Sequence, residues 1–257
     1  MKSRPAQVVD AQSRASSPPS FAKEGVPFPF SVSRLYSLRL KTMEKEEIYA
    51  HERYRVLRAR TLDIMKAAGL KTLMITSAVS GEGKTAASIN LAVALTQVQG
   101  LRVLLVDCDL RKSGVADALG VQTASGLENA LRSTRPFEEA VVEFENGLSF
   151  VPSGGLDENA AELLQSPRLS EFVKWARDKY DITIYDSPPL LPVADSRILA
   201  GQMDGIAMCV LAGSTSSNDV MEALELIRPK VIGSILMCAN AREGAGYYYY
   251  YHSDVTA

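Results

Sequence analysis

A chain of 257 residues with 46% hydrophobic content holds enough apolar material for one full domain plus an appendage. Its formal net charge of −2 argues against a nucleic-acid binder, and it has no run of ~18 or more apolar residues to cross a membrane. The start of the chain lacks a compact apolar segment, so a secretory signal is not expected. Cys108, Cys209 and Cys238 each fall in an apolar run, which predicts buried core residues in a reducing cytosol.

Residues 1–42 contain "SRASSPPS" and "VPFPF", which are rich in Ser and Pro and have no hydrophobic period. Residues 1–45 carry eight basic and three acidic side chains, a net of +5. The segment reads as a solvated, disordered leader; a weak attraction to anionic lipid or to an acidic partner is the alternative. From 43 to 68 the chain is rich in Glu, Arg, Leu and Ala and free of Pro and Gly, which predicts a helix. Buried strands are expected at 72–79, 102–107, 148–151, 182–186, 205–211 and 231–238. Helices are expected at 84–98, 125–133, 158–180, 195–202 and 216–228. Continuous apolar strands alternating with helices predict an α/β fold of three layers, with a mostly parallel sheet covered on both faces.

The stretch "TSAVSGEGKTAAS" follows the first strand and opens the first helix of that alternation, the context a phosphate loop requires. Its candidate nucleotide-binding residues are Ser80, Gly81, Glu82, Gly83, Lys84, Thr85 and Ala86. Glycines let backbone N–H groups close on an anion, and the helix N-terminus adds its positive end. Lys84 is expected to reach the β/γ-phosphates and Thr85 to ligate Mg²⁺. Ala78 stands where the common pattern begins with Gly. Carboxylates for the metal are available at two strand ends. In "VLLVDCDLRK", Asp107 and Asp109 lie two apart, with Arg111 in the same alternation; in "ITIYDSPP", Asp186 ends a strand that two prolines stop. An acidic group after a strand is often only a helix cap, but three such elements in this order are far more specific than one.

These three motifs resemble those of the bacterial tyrosine kinases of capsule and exopolysaccharide synthesis, over about residues 44–252. "SAVSGEGKT" resembles their Walker A loop, "LLVDCDLR" their Walker A-prime motif and "ITIYDSPP" their Walker B motif. The resemblance implies a P-loop fold over 43–240, a tyrosine-bearing tail over 241–257, and ATP with Mg²⁺ as cofactors. It implies Lys84, Asp107, Asp109 and Asp186 as catalytic residues, with Thr85, Asp109 and Asp186 at the metal. It also implies that Arg111 orders the Asp107–Asp109 turn, contacts the nucleotide or meets a second subunit. Asn240 would touch adenine. "ERYRVLR" resembles the family's E-x-x-R-x-x-R pattern at Glu52, Arg55 and Arg58, which implies subunit contacts in a homo-oligomer such as a ring. Asp195 resembles a helix cap or supporting group after Walker B. Asn159 is kept in a segment whose neighbours differ.

The chain carries "GYYYYYHS" near its end. Family members end in a tyrosine cluster that they autophosphorylate, so Tyr247, Tyr248, Tyr249, Tyr250 and Tyr251 are the expected acceptors. The 17 residues after Asn240 span at most roughly 55–60 Å when extended, enough to reach a neighbour's site. Each phosphate adds about −1.5 to −2 charges, which would repel the tail from an acidic, phosphate-filled site. The resemblance further implies a membrane-spanning chain-length or export partner, a cognate phosphatase and a cytoplasmic location at the inner membrane. The main alternative is a Min/Par-type ATPase, a nucleotide-driven assembly switch. That group carries a signature Lys where this chain has Val79, and its second motif lacks an Arg. A structural partner with vestigial catalysis is the third reading.

Overall fold

The computed structural model describes residues 44–122, 125–155, 157 and 159–238. The leader, Asn240 and Tyr247–Tyr251 lie outside the described residues.

Seven strands form one sheet: β1 (Thr72–Ser77), β2 (Val103–Asp107), β3 (Val142–Glu143), β4 (Leu148–Val151), β5 (Ile182–Asp186), β6 (Gly205–Leu211) and β7 (Val231–Met237). Their spatial order is β3-β4-β2-β5-β1-β6-β7, and every pairing is parallel except β3 on β4. The strands read as continuous apolar runs because both faces are covered. Successive side chains take opposite sides. Leu73, Ile75, Leu105, Phe150 and Ile184 pack on one face under α1 (Glu44–Ala68) and α2 (Lys84–Thr96). Met74, Leu104, Val106, Tyr185 and Met208 pack on the other, with Leu169, Phe172 and Leu199 from the helices above.

That second face is covered by α4 (Leu127–Arg132), α5 (Ala160–Leu164), α6 (Pro167–Lys179), α7 (Asp195–Gln202) and α8 (Ser217–Ile227). A short α3 (Val115–Leu119) lies on the α2 side, where Val115 and Leu119 join the core. Three differences from the sequence expectation have local causes. The helix expected over 158–180 is two helices, because Ser166, extended at φ −65° and ψ 148°, precedes Pro167; proline disfavours helical backbone in the residue before it. Strand β3 has only two residues and too little pattern to be recognised. Cys108 and Cys209 are buried as expected, but Cys238 is exposed, just past β7 in the left-handed region at φ 55°.

Helix α2 is apolar nearly all round, buried from Ala87 to Leu95, because it lies between the sheet and α1. Arg58 of α1 donates to the Ala94 carbonyl (3.0 Å) and to Gln97 (3.1 Å), which satisfies acceptors at the C-terminus of α2. Tyr54, four residues earlier, is hydrogen-bonded to Asn90 of α2, and burial pushes its hydroxyl pKa up.

Candidate active site

Parallel strands deliver their C-terminal ends to one rim of the sheet, and β2, β5 and β1 are adjacent at its centre. Between β1 and α2 the chain makes the loop 78–83. Gly81 and Gly83 adopt φ 87° and 85°, the left-handed backbone a side chain would resist. A Cβ on Gly83 would also lie 3.0 Å from the tip of the flexible Met237 side chain, which would have to shift slightly.

Asp107 and Asp186 are in direct register at the ends of β2 and β5, about 4.8 Å apart by strand spacing. Asp186 accepts from the Thr85 hydroxyl (2.8 Å) and the Ser88 hydroxyl (2.8 Å). Asp107 accepts from the backbone N–H of Asp109 (3.1 Å) and Val115 (3.3 Å) and from the Ser113 hydroxyl (3.1 Å). Lys84 Nζ lies 3.7 Å from Asp109, which also accepts from the Lys112 N–H at 2.9 Å. Sequence reasoning assembled Lys84, Thr85, Asp107, Asp109 and Asp186, and the fold brings them together. It missed Ser88, although Ser88 lies one turn after Thr85 on the same helix face, a spacing legible in advance.

Burial raises the pKa of Asp107 to about 7, and the facing Asp186 adds to the rise. Burial likewise raises Asp186 to about 6, against the opposing pull of Lys84, Thr85 and Ser88. Two buried carboxylates side by side cannot both ionise comfortably without a cation. These carboxylates and the Thr85 hydroxyl are hard oxygen donors, the kind Mg²⁺ takes.

Other expected residues are placed differently. Arg111, expected to order the Asp107–Asp109 turn, meet nucleotide or meet a subunit, forms a two-nitrogen pair with Asp195 at 2.6 and 3.2 Å. This ties the segment after β2 to the start of α7. Asp195 is buried in the first turn of α7; the cap position is Ala194. The side chain of Glu82 turns to the Val79 N–H (2.9 Å) and to Thr215. Arg55 pairs with Glu52 at 2.7 Å on the exposed face of α1, whereas Arg58 turns inward to α2. Asn159 occupies the N-cap position of α5 without a side-chain cap bond, and its backbone N–H donates to Asp157 at 2.8 Å.

A parallel sheet with a glycine loop at one strand end and two carboxylates at the next two defines a P-loop nucleotide-binding domain. The AAA domain family matches residues 70–224. Tyrosine-protein kinase YwqD of Bacillus subtilis is 36% identical over 207 residues, 79% of this chain and 87% of that protein. Tyrosine-protein kinase wzc of Salmonella typhi is 29% identical over 91% of this chain; the chain spans 34% of that longer relative. Among solved structures, the kinase domain of Escherichia coli ETK superposes with TM-score 0.71 at 25% identity, covering 85% of this chain and 83% of that one. The VpsO kinase domain does so with TM-score 0.67 at 31% identity, covering 77% and 100%. The Mg-ADP complex of MinD from Pyrococcus horikoshii, with TM-score 0.56 and 24% identity over 65% of this chain and 69% of that one, shares the fold alone. The chain belongs to the family of bacterial tyrosine-protein kinases, and its activity is that of a protein-tyrosine kinase.

Proposed function

We propose that this kinase uses ATP and Mg²⁺ to phosphorylate the tyrosines of its own C-terminal run, Tyr247–Tyr251, in trans within a homo-oligomer. Through a membrane-spanning partner and a cognate phosphatase, the phosphorylation state would regulate polymerisation and export of a polysaccharide from the cytoplasmic side. Among the described residues no helix is long and apolar enough to cross a membrane, so the partner would supply the span. The observation that supports the reading most is the register pairing of Asp107 with Asp186 beside Thr85 and Lys84.

When bound, Mg²⁺·ATP supplies the γ-phosphoryl group and neutralises its charge. The N–H groups of Gly81–Thr85 would cradle the phosphates, with Lys84 leaving Asp109 for the γ-phosphate. Thr85 would ligate the metal, and Asp109 and Asp186 would hold it directly or through water. A Tyr hydroxyl, with an ordinary pKa near 10, is protonated at neutral pH. Asp107, buried at the end of β2 beside Asp186, is our candidate to accept its proton. The phenolic oxygen forms the new bond to phosphorus, the bond to the β-phosphate oxygen breaks, and ADP carries away the electron pair.

The Min/Par-type reading has less support: Val79 lacks the signature amine, and the resemblance to MinD is one of fold. The deciding measurement is mass spectrometry of the tail after incubation with ATP and Mg²⁺. Phosphate should appear on Tyr247–Tyr251 in the wild type and be absent in Lys84→Met. Phosphate confined to other tyrosines would overturn the acceptor assignment.

A further inference from the structure

Glu82 puts a carboxylate inside the loop that must close around a polyphosphate. A negative charge there opposes binding unless something holds it away. The residue is 2% exposed. Oε2 accepts the Val79 N–H at 2.9 Å, and Oε1 accepts the Thr215 hydroxyl. Thr215 lies 133 residues further on, in the turn between β6 and α8. Its oxygen already accepts the Leu211 N–H at 2.9 Å, so its one proton is left for Glu82. The turn is itself anchored: the Thr215 N–H donates to the Leu211 carbonyl at 3.0 Å and the Ala212 N–H to the Met237 carbonyl at 2.9 Å.

We propose that Thr215 is a positioning residue that holds the Glu82 carboxylate outside the phosphate cradle, so that nucleotide affinity depends on a hydroxyl in the turn after β6. The proposal rests on the nucleotide-site reading above. Without the Thr215 hydroxyl, Oε1 loses its donor while burial continues to penalise the charge. The carboxylate then rotates toward the nearest positive groups, the N–H groups and Lys84 that the phosphates need. A strut of purely structural importance would weaken binding through lost order, and the charge of Glu82 would be irrelevant. The two cases therefore differ in what happens when that charge is removed.

The test is calorimetric titration of ADP with Mg²⁺ into the full chain at low and high NaCl. Wild-type binding that is lost in Lys84→Met tests the site itself; wild-type protein that takes no nucleotide overturns both the site and the proposal. Thr215→Val should weaken binding about tenfold at low salt, the size of one misplaced charge near the phosphates, and less at high salt. Glu82→Gln combined with Thr215→Val should restore affinity to within about twofold of the wild type. A double variant as weak as Thr215→Val, or a Thr215→Val protein that binds normally, overturns the proposal. Should Thr215→Val fail to fold, Thr215→Ala takes its place in the same single and double comparison, and an affinity within about twofold of the wild type for Thr215→Ala overturns the proposal.

Discussion

Asp186 carries two opposed demands, and pH separates them. Buried, it prefers to be neutral; as the proposed metal ligand it would have to be ionised. A carboxyl whose folded pKa is raised, here to about 6, contributes stability that is fully present below its ordinary value near 3.8. That contribution is lost as pH rises through about 6, and Asp107 extends the loss to about 7. Asp181 and Asp157 shift downward, the first held by Arg102 and the second chiefly by the Asn159 N–H, so their contributions change only at more acidic pH. Metal-free Asp186→Asn should therefore be more stable than wild type at pH 8, by about 1–2 kcal/mol or ~3–5 °C, with the gap about halved at pH 5 and closed only below 3.8. Thermal unfolding at the two pH values checks this. The substitution is tolerable because the Thr85 and Ser88 hydroxyls can rotate to accept from an amide. Asp107 is a poorer choice, since it accepts two backbone N–H groups that cannot turn. The same raised values require Mg²⁺·ADP binding near pH 6.5 to release protons. Calorimetry in buffers of different ionisation enthalpy should show a binding heat that depends on the buffer, and a buffer-independent heat would overturn it.

Among the elements, α1 and α2 show one motif divided between two jobs. Glu52, Arg55 and Arg58 are spaced for one helix face, yet Arg58 serves the C-terminus of α2 while Arg55 pairs on the surface with Glu52. Cations near a helix C-terminus stabilise it, and the bond to the Ala94 carbonyl is partly buried. Arg58→Ala should lower stability by about 1 kcal/mol, or ~2–4 °C in the melting point. Arg55→Ala should stay within about 0.5 kcal/mol, as exposed pairs do, and show its effect in oligomer size by light scattering. Equal stability losses for the two would remove the division of labour. The same helix pair carries Tyr54 to Asn90, so α1 is seated along the helix whose N-terminus would meet the phosphates.

For the molecule as a whole, the sheet order decides where chemistry can happen. β1, β5 and β2 are adjacent although β5 is last of the three in sequence, so the phosphate loop, Asp186 and Asp107 share one rim. Strand β7 ends at Met237, beside Gly83 of the loop, and the 17 residues after Asn240 would span at most roughly 55–60 Å when extended, the reach that transfer to a neighbouring subunit would use. Mixing a kinase whose five tail tyrosines are Phe with an intact-tail Lys84→Met protein should label the latter at Tyr247–Tyr251. Absence of label on the Lys84→Met chain would restrict transfer to the same subunit.

Much of this was legible in the residues. Strands β4, β5 and β6 begin and end where their apolar runs do, because a strand buried on both faces must be apolar throughout. The phosphate loop and the strand-end carboxylates were legible because each is a local device, a few residues whose backbone and neighbours are fixed by their own sequence. The contacts Arg111–Asp195, Arg58–Ala94 and Glu82–Thr215 were not. They join positions 84, 36 and 133 residues apart, and no periodicity or spacing specifies them. The sequence by itself determined an α/β nucleotide fold and the groups that would face a phosphate. Only the tertiary structure decided which way those groups turn, because the direction of a charged side chain follows from the donors and acceptors that packing brings within hydrogen-bond reach.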